Sequence, residues 1–234
     1  SVNIVGEIEA QGWYTKSDFA MLDHPYIGVR PLPHAGEKRK ITNWRGTDAV
    51  NSWAWGEQYS GKQAKVEIYC SGYEVELIQN GKSLGRSLLK ECRSEFDVMY
   101  KAGELEAVSY DEQGKELGRS SLKSAGDQSR LILRAEKQHI PSGGIVYVFA
   151  EITDEQGIRK VNEDTDVVFT VCGNGELLAA GSGSPWAEYP YTGNKAKTWY
   201  GTAAAVVRAG EKGTITVTAE AGDRKADAII LSAV

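Results

Sequence analysis

The sequence is poor in the residues from which most catalytic and metal sites are built. Its 234 residues include three histidines and three cysteines, and Cys70, Cys92 and Cys172 show neither CxxC nor Cys/His ligand spacing. A disulfide framework, a zinc site and a nucleophile activated by a histidine base are therefore not expected. No apolar run approaches the roughly 18 residues needed to span a bilayer, so no membrane partner is predicted.

Positive charge is scarce as well. The chain has 27 Lys and Arg against 32 Asp and Glu, which gives a formal net charge of -5. Proteins that bind nucleic acid neutralise phosphates with clustered basic side chains, and this composition supplies no such excess. Nucleic acid is therefore not a predicted partner.

What the sequence does contain is a long series of short alternating segments. In Val66, Ile68 and Cys70 every second residue is apolar, as in a strand with one buried face. Asn80-Gly81 lies between two such segments and is a strong hairpin signal, because both turn positions need a positive φ. Cys70 and Cys172 fall within strand-like segments and are expected to be small core residues. The pattern predicts an all-β protein.

The chain also divides into two similar halves. A small, polar stretch at residues 124–129 is typical of a linker. Residues 100–122 and 207–231 each read as a long strand, a glycine turn and a last strand, as at the end of an immunoglobulin-like domain. We therefore predict two consecutive immunoglobulin-like β-sandwich domains, at 1–126 and 127–234, the first including an N-terminal connector.

Aromatic residues concentrate in two polar, glycine-bearing segments. One group lies in the connector and the other near residue 190. Flat aromatic faces beside polar groups either stack on sugar rings or bury against a neighbouring domain. The residues predicted to make carbohydrate or interdomain contacts are Trp44, Trp53, Trp55, Trp186 and Trp199.

Paired carboxylates are candidate catalytic groups, because glycoside hydrolysis needs only two of them at a fixed separation. Glu74 and Glu76, like Asp164 and Asp166, lie two residues apart and share one face of a strand. Solvated strand faces account for such pairs, and Asp154 with the two later aspartates lacks EF-hand spacing. We predict no catalytic residue, no metal and no cofactor.

Several longer motifs resemble one enzyme family. The residues that carry the resemblance are KVEIYCSGYEVELIQNGKSLGR at 65–86, FDVMYKAGELEAVSYDEQGKELGRSSLKSAG at 96–126, HPYIGVRPLPH at 24–34, SWAW at 52–55, GNGELLAAGSGSP at 173–185 and GTAAAVVRAGEKGTITVTAEA at 201–221. They resemble the region that follows the catalytic barrel in bacterial family 2 glycoside hydrolases of the β-galactosidase type. Ser182 departs from the asparagine usual in the glycine-rich loop, which weakens the case for sugar contact there.

The resemblance implies a retaining enzyme with two glutamates on a TIM barrel, neither of which has a counterpart in this sequence. The chain is then a noncatalytic accessory region that supports the barrel, shapes its active-site rim or makes homo-oligomer contacts. Its expected partner is the barrel of the parent chain, with connector tryptophans left partly uncovered when that barrel is absent. Two alternatives stay open: a carbohydrate-binding module that holds oligosaccharide on exposed tryptophans, and an adhesin-like sandwich. The compartment also stays open.

Overall fold

The computed structural model describes residues 1–38 and 46–234, and these residues divide into two units. Unit 1 comprises residues 1–2 and 8–125, and unit 2 comprises residues 3–7 and 126–234. Each unit contains two β-sheets. The predicted fold class, two consecutive immunoglobulin-like sandwiches, is confirmed. Separate folding of the two halves stays a prediction.

The described residues of unit 1 form a helix followed by seven strands. They are α1 Ala10–Asp18, β1 Tyr26–Val29, β2 Gln63–Tyr69, β3 Glu74–Gln79, β4 Lys82–Leu88, β5 Arg93–Met99, β6 Glu104–Tyr110 and β7 Glu116–Lys123, with 3-10 turns at Leu32–His34 and Glu57–Tyr59. One sheet has the order β1-β2-β5 and the other β4-β3-β6-β7. Every pairing in both sheets is antiparallel, as in sandwiches built from hairpins and meanders.

The helix α1 was not predicted, because its sequence contains Gly, Thr and Ser, all weak helix formers, and no capping side chain. Aromatic packing holds it instead. The Trp13 ring stacks on Tyr26 at 5.4 Å, Tyr26 stacks on Tyr69 at 5.6 Å, and Tyr14 meets the edge of Tyr69 at 5.4 Å. Tertiary contacts, not helix propensity, therefore determine this element.

The helix changes the environment of β2. Val66 and Ile68 are fully buried on one face, as the alternation predicts, but Glu67 and Tyr69 on the other face are buried too. The Tyr69 hydroxyl donates a hydrogen bond to the Glu67 carboxylate, which also lies 3.3 Å from Arg93. A buried carboxylate is tolerated only with such partners, so the strand is covered on both faces.

Unit 2 contains ten strands. They are β8 Arg130–Ala135, β9 His139–Ile140, β10 Ile145–Thr153, β11 Asp166–Gly173, β12 Gly175–Gly181, β13 Lys195–Lys197, β14 Thr202–Ala209, β15 Gly213–Ala221, β16 Arg224–Lys225 and β17 Ile229–Ala233. The sheets have the orders β12-β14-β10-β8 and β13-β11-β15-β17-β9, with β16 beside β15. Alternate residues of both sheets form one apolar core, including Val146, Val148, Ile152, Phe169, Ile215 and Val217.

The cysteines differ in burial. Cys70 is buried, and burial raises the pKa of its thiol to about 12. Cys172 is exposed, so the expectation that it is a core residue is wrong. It lies on the outward face of β11. Phe169, three residues earlier in the same strand, lies on the opposite face and points into the core. All three cysteines are free.

In each unit, an asparagine side chain forms a hydrogen bond to the start of the predicted end hairpin. Asn80 of the predicted Asn-Gly turn has φ +51°, and Gly81 has φ +75°, as that turn requires. The Asn80 Nδ2 donates to the carbonyl of the residue preceding Gly103, at 3.0 Å. In unit 2 the Asn174 Nδ2 donates to the carbonyl preceding Gly213, at 3.1 Å. Asn80 and Asn174 therefore make the same type of contact relative to Gly103 and Gly213, the two glycines that correspond in the sequence.

Candidate functional site

The second aromatic group surrounds an open cavity of about 420 Å³ in unit 2. The loop of residues 182–194, between β12 and β13, and the segment leading into β14 both contribute residues to its lining. We call this cavity the aromatic cleft; the side chains that define it are Asp164, Trp186, Tyr189, Tyr191, Lys195 and Trp199.

Trp186 is the most accessible aromatic side chain of the cleft, with 78% of its surface exposed. The loop backbone beside it is ordered by Ser184. The Trp186 N–H donates to Ser184 Oγ at 3.1 Å, and that hydroxyl donates back to the Trp186 carbonyl at 3.0 Å. Such local hydrogen bonds are typical of Ser in turns, so the loop presents the indole outward without burying it.

The Tyr191 ring lies close to a glycine at the end of β12. A Cβ at Gly181 would lie 2.8 Å from two Tyr191 ring atoms, which is too close for any other residue without movement. The Ala180 N–H donates to the Tyr191 carbonyl at 2.9 Å and ties the loop back to the strand. The glycine at this position therefore makes room for an aromatic ring.

Trp199 also lines the cleft and is half-buried. Its ring lies 4.8 Å from that of Tyr200. A tight turn follows, with φ +50° at Tyr200 and +74° at Gly201, and the Gly201 N–H donates to Asp164 Oδ1 at 3.2 Å. Asp164 thus holds the turn that carries Trp199.

The lysines of β13 are already paired. Lys195 Nζ lies 2.8 Å from Asp166 Oδ2 and 4.3 Å from the centre of the Tyr189 ring, while the Tyr189 hydroxyl donates to Asp166 at 2.8 Å. Lys197 Nζ lies 3.1 Å from Glu188 Oε1. The hydrogen bonds and charges of these carboxylates raise the pKa of each lysine.

The carboxyl groups of Asp164 and of nearby Asp166 differ in their surroundings. Partial burial raises the pKa of its carboxyl above the ordinary value, although hydrogen bonds from Gly201 and Thr198 act in the opposite direction. By contrast, hydrogen bonds from Lys195 and Tyr189 lower the pKa of Asp166. Asp164 and Asp166, two residues apart in the chain, therefore have environments that shift their carboxyl pKa in opposite directions.

The sequence interpretation of the connector tryptophans needs correction. Trp53 and Trp55 are fully buried within the chain. The Trp53 ring packs 4.7 Å from that of Tyr100, and its Nε1 donates to the Lys101 carbonyl at 3.0 Å. The Trp55 Nε1 donates to Ser52 O at 3.1 Å. Neither indole presents a face to a sugar or to a neighbouring domain.

Of the remaining predicted contact residues, Trp44 lies outside the described residues, and Trp186 and Trp199 lie together in the aromatic cleft. Sequence reasoning did not find the roles of Asp164, Ser184 and the β13 lysines. The alternation of Lys195 and Lys197, which places both side chains on one face of a short strand, was the available signal.

Outside the cleft, Glu74 and Glu76 are half-buried on one face of β3 and pair with Arg86, at 2.7 and 3.3 Å. Within residues 1–38 and 46–234, no three His, Cys, Asp or Glu side chains are grouped to hold a metal ion. In the same described part of the chain, no helix has the length and apolarity to cross a membrane.

Fold and cleft together define a pair of immunoglobulin-like β-sandwich modules, a class in which function lies in the loops at the sandwich ends. Residues 131–230 match the model of the glycoside hydrolase family 2 C-terminal domain 5. Residues 61–118 match a domain of unknown function, DUF4982. The resemblance of the two sandwiches to the C-terminal domains of family 2 glycoside hydrolases is thereby confirmed.

Individual relatives agree with this result. A β-galactosidase from Bacteroides ovatus is 26% identical over 228 residues, which cover 92% of this chain and 25% of that protein. A family 2 glycosyl hydrolase from Bacteroides cellulosilyticus is 28% identical, with a TM-score of 0.85 over 100% of this chain and 31% of that one. A family 2 β-glucuronidase, 16% identical with a TM-score of 0.75, shares the fold over 100% of this chain and 22% of its own. The chain spans about a quarter to a third of the first two relatives.

Proposed function

We propose that this chain is a noncatalytic C-terminal accessory region of a family 2 glycoside hydrolase. The observation that carries the proposal is the alignment of the whole chain with 31% of a solved family 2 enzyme. The named relatives include a β-galactosidase, which supports O-glycosyl hydrolysis of a β-galactoside as the parent reaction. The catalytic barrel of the parent is then the principal partner.

Among the accessory roles, shaping the rim of the active site fits the cleft best. Trp186 lies on a loop, exposed by 78%, and a loop at a sandwich end reaches a neighbouring surface more readily than a sheet face does. Support of the barrel and homo-oligomer contacts are the other roles that the proposal includes.

The noncatalytic part of this proposal has a direct test. The purified chain is incubated with nitrophenyl β-galactoside and nitrophenyl β-glucuronide, and release of nitrophenol is followed by absorbance. We expect no hydrolysis above the buffer rate. Turnover that one carboxylate substitution in this chain abolishes would overturn the proposal.

A second candidate function is carbohydrate binding by the chain itself. It is favoured by one specific observation, the meeting of Trp186 and Trp199 with polar side chains around an open cavity. Calorimetric titration with lactose and longer β-galactosides tests it. Binding that is lost in Trp186→Ala supports the function, with Tyr73→Ala as the control, because Tyr73 is 46% exposed in unit 1. Equal loss in both variants, or no heat from any sugar, contradicts it.

A further inference from the structure

The aromatic cleft has the size of a small-molecule site. Its volume is about 420 Å³, and ligand pockets in proteins are typically roughly 300–1,000 Å³. Polar and apolar side chains both line it, and Trp186 and Trp199 are among them. A pyranose ring has one apolar face and a rim of hydroxyls, so an aromatic wall and flanking polar groups match it.

The charges of the cleft discriminate among sugars. Lys195 and Lys197 are its cations, and each already has a carboxylate partner, Asp166 at 2.8 Å and Glu188 at 3.1 Å. A uronate would have to compete with those partners for its own counter-ion. Bringing a carboxylate into a partly enclosed site without a free cation is costly, because it loses water without gaining a pair.

Asp164 adds to this discrimination. Its carboxylate lines the cleft, and Gly201 N–H donates to its Oδ1 at 3.2 Å. A uronate carboxylate nearby would meet a like charge. The hydroxyls of an uncharged sugar can instead form hydrogen bonds with these groups, since a hydroxyl donates to a carboxylate and accepts from an ammonium group.

We propose that the aromatic cleft of unit 2 binds an uncharged pyranose ring and rejects uronic acids, because its paired lysines and Asp164 leave no counter-ion for a sugar carboxylate. This inference rests on the second candidate function, sugar binding by the chain itself. It adds the class of sugar and the groups that select it.

The test uses ligands that differ only at carbon 6. The purified full chain is titrated, by calorimetry or saturation-transfer NMR, with methyl β-D-glucopyranoside, methyl β-D-glucuronide and the uncharged amide of that glucuronide. We expect the glucoside and the amide to bind at least tenfold more tightly than the glucuronide. Trp186→Ala should weaken the glucoside at least tenfold, and Tyr73→Ala should leave it unchanged.

Asp164→Asn supplies the selective variant, since an Asn Oδ1 can still accept the Gly201 N–H while the charge is gone. We expect it to narrow the ratio of glucoside to glucuronide affinity by severalfold. Glucuronide binding as tight as the glucoside in the unsubstituted chain overturns the charge selection but leaves sugar binding in place. If none of the three ligands binds, both sugar binding and charge selection are overturned. The proposed accessory role does not depend on this result and is tested by the hydrolysis assay.

Discussion

Tryptophans from two polar segments of similar composition differ in burial in this molecule. Trp53 and Trp55 lie in a polar segment of unit 1 and are fully buried, whereas Trp186 lies in a polar loop of unit 2 and is 78% exposed. In unit 1 the segment is bound to the sandwich: the Trp53 carbonyl accepts hydrogen bonds from the Tyr100 hydroxyl at 3.2 Å and from Ser124 Oγ at 3.1 Å. Long-range hydrogen bonds, not residue type, separate a core aromatic from a surface one.

The difference should be largest in stability. Trp53→Ala removes a fully buried indole, and large-to-small changes of this kind cost about 3–5 kcal/mol in free energy of unfolding. Trp186→Ala should change the free energy by less than about 0.5 kcal/mol, because exposed positions contribute little. Both free energies of unfolding are to be measured by urea denaturation of the whole chain, followed by circular dichroism. Similar losses in the two variants would mean that the burial difference is absent in solution.

Two glycines extend the comparison to the backbone. A Cβ at Gly118 of unit 1 would lie 2.5 Å from the Asp23 carbonyl oxygen, whereas one at Gly181 of unit 2 would meet the Tyr191 ring at 2.8 Å. The main chain has less freedom to move than a side chain that is 39% exposed. Gly118→Ala should therefore cost about 1–3 kcal/mol, and Gly181→Ala less than about 1 kcal/mol.

The same denaturation assay compares the two glycine variants. Gly181→Ala should reduce sugar affinity through displacement of Tyr191, an effect that Gly118→Ala does not share. A larger loss of stability in Gly181→Ala than in Gly118→Ala would show that the cleft loop is as tightly packed as unit 1.

The smallest expected effect concerns pH. Burial raises the pKa of Asp164, so the folded chain binds this proton more tightly than the unfolded chain does. Its contribution to stability is therefore present at low pH and is lost as pH rises through the raised folded value. Asp164→Asn removes that loss, and should be equal to or more stable than the unsubstituted chain at pH 7, by less than about 1 kcal/mol.

Asp166→Asn is the matched control on the same segment. Hydrogen bonds from Lys195 and Tyr189 lower the pKa of Asp166, so its contribution is present at neutral pH and lost on acidification. Thermal melts from pH 3 to pH 7 should show the two substitutions changing the pH profile in opposite directions. A common direction would contradict the assignment of distinct environments.

Strands and hairpins were predictable because their signals are local. The alternation through Val66 and Ile68 and the turn at Asn80-Gly81 depend on neighbours within a few residues. The helix α1 was not predictable from local signals. It is stabilised by packing on the rings of Tyr26 and Tyr69, which lie outside the helix sequence.

The cleft was predictable in part. The concentration of Trp186 and Trp199 indicated a surface, but their meeting depends on two elements separated in the chain. Asp164 holds the turn after Trp199 from 37 residues away, a relation that no local pattern encodes. For the same reason the burial of Trp53 depends on contacts made 47 and 71 residues further along.

The most direct measurement follows the indole N–H groups of the chain during titration with methyl β-D-glucopyranoside. Proton–nitrogen correlation spectra, assigned with single tryptophan-to-phenylalanine variants, report each indole separately. The account predicts saturable shifts of Trp186 and Trp199, while Trp53 and Trp55 stay unmoved because their indoles are buried and hydrogen-bonded to Lys101 and Ser52. Shifts of Trp53 or Trp55 without a response from Trp186 would contradict it.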